Sequence, residues 1–342
     1  MEANKSSKQI TNLVRLKGIV KLLRPHQYYK NVLIFFGLFF SRNIFRIDTW
    51  IPILFGFIAL CIISSLNYII NDFRDREKDK SHPEKKDRPF PSGTISIPMG
   101  IFLMILLLIT AIVLVYFIPD THTPIQLIPT LSEEDDYEPA QVTVDSKMAF
   151  ILVLGALFFT SQIYSFFLRE FVFLDVITIS VNYVWRAVAG VVLISVTISP
   201  WLIILCFTSA MLLALAKRKG DMAMLGENAK EHKRVFRLYT EDLIDQSLAT
   251  IIAVELLAIF IYLNERHPNE TVFIILSLPL FTFILFRYLF LVSNKGEISR
   301  KAEKLFFDKQ LIITGLIIVL LFFFAIYFPN FLDNLIGLPP DR

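Results

Sequence analysis

Asp72, Asp75 and Asp79, in the stretch NDFRDREKD, carry the strongest chemical signal in the 342-residue chain. On a continuing helix, positions i, i+3 and i+7 stack on one face. Three negative charges on one face repel each other unless a cation sits among them. Hard oxygen donors in that number, with the neighbouring Asn71 amide, suit Mg²⁺, which keeps several waters and binds through a few carboxylates together with substrate phosphates. Just beyond lie His82, Lys85, Lys86 and Arg88, cations suited to the remaining phosphate charge. The bland alternative is a solvated helix end with ordinary surface pairs. Against it, Asn71 belongs to a helix otherwise built for lipid, where a polar residue marks function by default. Asp72, Asp75 and Asp79 are therefore the candidate catalytic carboxylates, and with Asn71 the candidate magnesium ligands.

A second polar stripe runs through residues 171–196. Asp175, Asn182 and Arg186 are separated by seven and four residues, so a helix turns them to one side, and that side must face protein. An arginine near the middle of a membrane helix costs roughly 2.5 to 3.5 kcal/mol on insertion scales and is normally paired and turned inward. Asp175 sits near the end of its span and is a candidate substrate contact; Arg186 is about 16 Å further along, too far to share a small ligand with it.

The elements that must position these groups follow from composition. The chain is 55% hydrophobic and has 33 Phe against 12 Gly, more apolar surface than one soluble core hides. A helix needs about 20 apolar residues to cross hydrocarbon. Runs of that kind occur at 50–72, 98–118, 147–168, 171–196, 200–216, 245–264, 271–292 and 310–329. A shorter run, NVLIFFGLFF at 31–40, spans only if its flanks from Tyr28 to Ile44 are included. With it, nine helices place segments 1–30, 73–97, 169–170, 217–244 and 293–309 on one side, and these hold 27 of the 34 lysines and arginines. The positive-inside bias makes that side cytoplasmic. The expected fold is an all-α, multi-pass bundle of about nine transmembrane helices, one integral-membrane domain over 1–342, in the cell membrane with its N-terminus and active site cytoplasmic.

The net charge of +3 is sorted across the bilayer, so no nucleic-acid partner is expected. Cys61 and Cys206 fall within apolar runs, where a thiol behaves as a small hydrophobe, and neither a disulfide framework nor a zinc site is readable. Residues 1–30 lack the apolar stretch of a cleavable signal peptide. Leu13, Leu16, Val20 and Leu23, with basic residues between them, read instead as a helix lying on the cytoplasmic lipid surface. The outer loop 119–146 holds seven acidic residues and no Lys or Arg. Its cluster Glu133 to Asp136 lacks the glycine and spacing of a calcium loop, so a solvated acidic loop is expected.

NDFRDREKD followed by RPFPSG resembles the first Asp-rich motif of the UbiA prenyltransferase superfamily, intramembrane enzymes of nine helices that use Mg²⁺ and an isoprenoid diphosphate. The chain is most similar to the polyprenyl-phosphate phosphoribosyltransferase branch, through LRPHQYYKN (Leu23 to Asn31), HPEKKDRP (His82 to Pro89), VWRAVAG (Val184 to Gly190), AKRKGD (Ala216 to Asp221) and a later Tyr239-Thr240. The likeness covers nearly the whole chain except the acidic loop, which looks like an insertion. It implies substrate contact for Gln27, Lys30 and Asn31, whose other role is headgroup contact. One departure stands out: where prenyl-transferring branches carry a second pair of aspartates, this chain has Lys217, Arg218 and Lys219 before the single Asp221. Cations there suit a donor with an extra phosphate. The resemblance thus implies transfer of a phosphoribosyl group from phosphoribosyl pyrophosphate to a polyprenyl phosphate, with Lys217, Arg218 and Asp221 among the substrate contacts. The alternatives are a conventional prenyltransferase with an aromatic or glycerol-phosphate acceptor and, more remotely, a membrane transporter.

Overall fold

A computed structural model describes residues 14–81, 85–119, 125–126, 143–197, 200–225, 234–268, 270–294, 305, 307–329 and 331. Apart from a two-residue antiparallel ladder, Ile125–Gln126 (β1) with Thr143–Val144 (β2), the regular structure of these residues is helical. The ladder pairs Ile125 with Val144, within the expected outer loop; the acidic cluster 133–136 lies outside the described residues.

Helix α1 covers 14–23. Its Leu16 and Val20 are exposed and Leu23 is half-buried, Leu13 lies outside the described residues, and Leu22 is fully buried against Ile69, Phe90, Ile95 and Leu103. Among the described residues, eight helices are long and apolar enough to span a membrane: α3 (Ile47–Lys80), α4 (Ile97–Tyr116), α5 (Ser146–Phe166), α6 (Leu174–Leu193), α7 (Pro200–Leu225), α8 (Glu241–Arg266), α9 (Thr271–Asn294) and α10 (Lys309–Tyr327). Each contains or overlaps one of the long apolar runs, and α3 continues without a break through the carboxylate motif.

The short run takes another form. Residues Pro25–Phe35 are a 3₁₀-helix that passes into α2 (Phe36–Phe40). A 3₁₀-helix rises about 2.0 Å per residue against 1.5 Å for an α-helix, so the eleven 3₁₀ residues and five α residues reach about 30 Å, the thickness of a hydrocarbon core. This segment is not one of the eight helices that are long and apolar enough to cross a membrane among the described residues, so the ninth expected span is not in that set. A 3₁₀ stretch of this length is unusual.

The chain divides into two compact units. The first comprises Met1–Ser165 with Trp185–Thr197, and the second Phe166–Val184 with Ile198–Arg342. In the first unit α3 packs on α4 and on the 3₁₀ segment. Its core joins Ile34, Leu38, Ile53, Leu60, Phe150, Leu157 and Leu193. Gly190 makes that packing possible: a Cβ there would fall 1.8 Å from the carbonyl oxygen of Ile34, and one on Gly37 3.1 Å from the backbone nitrogen of Val191. Backbone thus lies against backbone, the close approach that only glycine allows. In the second unit α7, α8, α9 and α10 pack in succession. Thr208 and Ser209 of α7 donate to the buried Glu255 carboxylate of α8, and Tyr262, His267, Phe273 and Phe322 cluster beneath.

Candidate active site

The C-terminal end of α3 brings the motif carboxylates together as their spacing requires. Asp72 and Asp79 are buried, while Asp75 is partly exposed and held by Arg74 at 3.1 Å. Arg88 closes the pair: its Nη1 donates to Asp72 Oδ1 at 3.0 Å and to Asp79 Oδ2 at 2.8 Å. Arg24 adds a second guanidinium, its Nη2 donating to Asp72 Oδ1 at 2.6 Å. The side chains of Arg24 and Arg88 are 23% and 27% exposed, whereas that of Asp72 is 3% exposed. The charges are therefore paired within and still reachable by solvent at the rim.

Local sequence explains both arginines. Residues 88–93, RPFPSG, form a tight turn in which Ser92 donates to the Arg88 carbonyl and Gly93 to that of Phe90, ending with Gly93 at φ +73. Phe90 is buried edge-on to Phe73, anchoring the turn so that Arg88 points back at α3. Arg24 is the elbow between α1 and the 3₁₀ segment. It adopts φ 54, ψ 55, a left-handed conformation costly for a non-glycine residue and further disfavoured before Pro25. Its guanidinium lies 5.0 Å over the ring of Tyr68.

A buried carboxylate pair converging on one nitrogen is a cation-sized focus. No group of three or more His, Cys, Asp or Glu is gathered into a metal cluster among the described residues. The donor set nevertheless fits one hard cation, because Asp72 and Asp79 already share a single positive atom and Asn71 Oδ1 is buried without a hydrogen-bond partner. Lys85, nearby, has its ammonium pKa pushed down, first by burial and then by Arg88, while Asp79 and Asp75 act the other way. An arriving phosphate, by its negative charge, would favour the charged ammonium and offset both effects.

In the second unit Asp175 is completely buried. Arg218 Nε donates to its Oδ2 at 2.7 Å and Tyr239 OH to its Oδ1 at 2.8 Å. Tyr239 also receives the backbone N–H of Phe173, at φ 63, at 2.9 Å. Burial first, and then the Asp175 charge, push the Tyr239 phenol up, so it stays a donor. Asp221 lies 3.9 Å from Arg218.

Residues 32–128 match the UbiA prenyltransferase family. A relative from Corynebacterium glutamicum, decaprenyl-phosphate phosphoribosyltransferase, is 24% identical over 332 residues, 96% of this chain and 91% of that one. Uncharacterized protein y4nM of Sinorhizobium fredii is 32% identical over 216 residues, 63% of this chain; the match spans only 36% of that relative's length. Among solved structures, a UbiA homolog from Archaeoglobus fulgidus bound to GPP and Mg²⁺ aligns with TM-score 0.60 at 18% identity, over 90% of this chain and 99% of that one. With its long apolar helices and this shared fold, the chain is a multi-pass helical membrane protein.

Of the residues singled out from sequence, Asp72, Asp79 and Arg88 meet directly, with Asn71, Asp75 and Lys85 beside them. Lys86 is exposed, Gln27 is half-buried, and Lys30 lies 5.9 Å over the Tyr29 ring. His82 falls outside the described residues. Asn31 is buried 30 positions from Cys61 in sequence, donating to its Sγ, and accepts from Arg186. Lys217 is exposed, but Arg218 is buried on Asp175. The sequence reading overlooked Arg24, for which the only signal was an arginine directly before proline in LRPHQYYKN.

Proposed function

We propose that the chain transfers the phosphoribosyl group of phosphoribosyl pyrophosphate to a polyprenyl phosphate, releasing pyrophosphate, on the cytoplasmic side of the cell membrane. The observation that carries the site is the convergence of Asp72 and Asp79 on Arg88, with Arg24 and Lys85 at the rim. Such a constellation serves a polyphosphate. The substrate pair comes from the named activity of the Corynebacterium relative, which matches almost end to end.

In the reaction an oxygen of the lipid phosphate attacks C1 of the ribose. The C1–O bond to pyrophosphate breaks, and pyrophosphate leaves with the bonding electrons. The attacking phosphate is already anionic, so it needs positioning rather than a base. Arg24, Arg88 and Lys85 take up the charge that grows on the leaving group. Asn71, Asp72, Asp75 and Asp79 would hold Mg²⁺, which when bound neutralises pyrophosphate charge. His82 and Lys86 are assigned to the donor's remaining phosphate, Gln27 and Lys30 to the lipid, and Lys217 and Asp221 are kept as substrate contacts on the strength of the sequence alone.

A second reading, prenyl transfer from an isoprenoid diphosphate, is favoured by the fold shared with the Archaeoglobus homolog bound to GPP and Mg²⁺. Purified protein in detergent, given labelled phosphoribosyl pyrophosphate, Mg²⁺ and polyprenyl phosphates, should yield label in extracted lipid. Incorporation from a labelled isoprenoid diphosphate instead selects the second reading. For sidedness, Ser92→Cys should be shielded from an impermeant thiol reagent in intact cells.

A further inference from the structure

Deeper in the first unit, along α3, lies a second cation that the carboxylate site does not use. Arg186 is buried, and its Nε donates to Asn31 Oδ1 at 2.9 Å. Asn31 is fixed in turn: it donates to Cys61 Sγ at 3.3 Å, and Ser64 Oγ donates to its oxygen at 3.3 Å. Asn31 thereby sets the plane of the guanidinium. Gly190, one turn on from Arg186, permits the backbone contact with Ile34 that holds α6 against this segment. Tyr68 lies at the level of Arg24, whose guanidinium is 5.0 Å over its ring. Asn67 continues the polar line, accepting from Gln162 Nε2 at 2.6 Å, and the Oε1 of Gln162 is buried with no hydrogen-bond partner among the described residues.

Ser64 precedes Asp72 by eight residues, so this polar level is about 12 Å deeper into the membrane than the carboxylates. We infer that Arg186, oriented by Asn31, binds the phosphate of the polyprenyl phosphate acceptor. The inference rests on the phosphoribosyl-transfer reading. A displacement at C1 requires the incoming oxygen on the side opposite the leaving pyrophosphate. Pyrophosphate belongs at the cytoplasmic carboxylates, so the attacking phosphate belongs below it. A lipid whose tail lies in hydrocarbon also approaches from that direction. A phosphate at that depth has to be paired, because an unpaired charge in a low-dielectric interior is prohibitive. A guanidinium is the side chain that pairs with phosphate through a two-pronged contact. A phosphate could equally belong to the donor, so the test separates the two sources.

Binding of a C50 polyprenyl monophosphate and of the corresponding C50 polyprenol is compared in detergent for the wild-type protein, Arg186→Gln and Arg186→Lys, together with binding of phosphoribosyl pyrophosphate and Mg²⁺. The wild type should prefer the monophosphate over the alcohol at least about tenfold, a tenfold ratio being the scale of one charge-assisted contact. Arg186→Gln should abolish that preference while changing donor affinity less than about twofold. Arg186→Lys keeps the charge but is shorter and has no fork; it should lose most of the preference and serves as the readout should the glutamine variant fail to fold. A folded variant with the full wild-type preference, a wild type with no preference, or a loss confined to donor binding overturns the inference. If lipid monophosphate binds as expected but no phosphoribosyl group is transferred, the subsite stands and the proposed reaction falls.

Discussion

Two buried aspartates, each gripped by an arginine, serve different ends. In the first unit Asp72 accepts from Arg24 and Arg88, whose side chains are about a quarter exposed. In the second unit Asp175 accepts from Arg218 and Tyr239, and the Asp175 and Arg218 side chains are 0% and 5% exposed. The chemistry of the pairs is similar; access is not. A guanidinium at the rim can turn to a phosphate and leave its carboxylate to another cation. One sealed on both sides has no such freedom, and breaking it strands a charge. A motif of acids and bases is thus read as a site or as a clamp by what solvent can reach.

The largest effect that sharpens this contrast is on folding. Asp175→Asn should destabilise the protein by about 3 to 5 kcal/mol, the cost of leaving a buried partner charge unpaired, measured by thermal or denaturant unfolding in detergent. A loss below about 1 kcal/mol would move Asp175 from clamp to site. Gly190→Ala comes next: with its Cβ 1.8 Å from the Ile34 carbonyl oxygen, the backbone must separate, at about 1 to 3 kcal/mol. An unchanged unfolding temperature would show that the 3₁₀ segment gives way freely. Lys217 and Arg218, adjacent in sequence, should part company: Arg218→Gln lowers stability, while Lys217→Gln leaves it intact and raises the donor Michaelis constant by up to about tenfold. The smallest effect is at the exposed Arg46–Asp48 pair, where Arg46→Gln should leave the unfolding temperature unchanged, because solvent screens the pair.

Much of this was legible in the sequence because periodicity carries it. The i, i+3, i+7 spacing put Asp72, Asp75 and Asp79 on one helix face, and apolar run lengths located the eight long helices. Asp175, Asn182 and Arg186 all proved buried, as a polar stripe in a lipid-facing helix must be. Contacts between residues far apart in sequence were not legible. Arg24 reaches Asp72 through a left-handed elbow that no propensity announces, and Arg186 meets Asn31 across 155 positions. That Arg218 is buried on Asp175 was not legible either, because a basic residue at a helix end reads alike whether it is sealed on a carboxylate or open to solvent. The 3₁₀ form of residues 25–35 was hidden because hydrophobic run length assumes the α-helical rise.

The central claim is that the reachable carboxylate face, centred on Asp72, performs the transfer. Its most direct test is the rate of label transfer from phosphoribosyl pyrophosphate to polyprenyl phosphate by Asp72→Asn at saturating Mg²⁺, with the folded fraction matched to wild type. The amide keeps the size of the side chain and accepts from Arg24 and Arg88, so the fold should persist. The rate should fall at least roughly 100-fold, the scale of losing one strong stabiliser of developing charge. A folded Asp72→Asn protein that turns over at close to the wild-type rate would contradict the account.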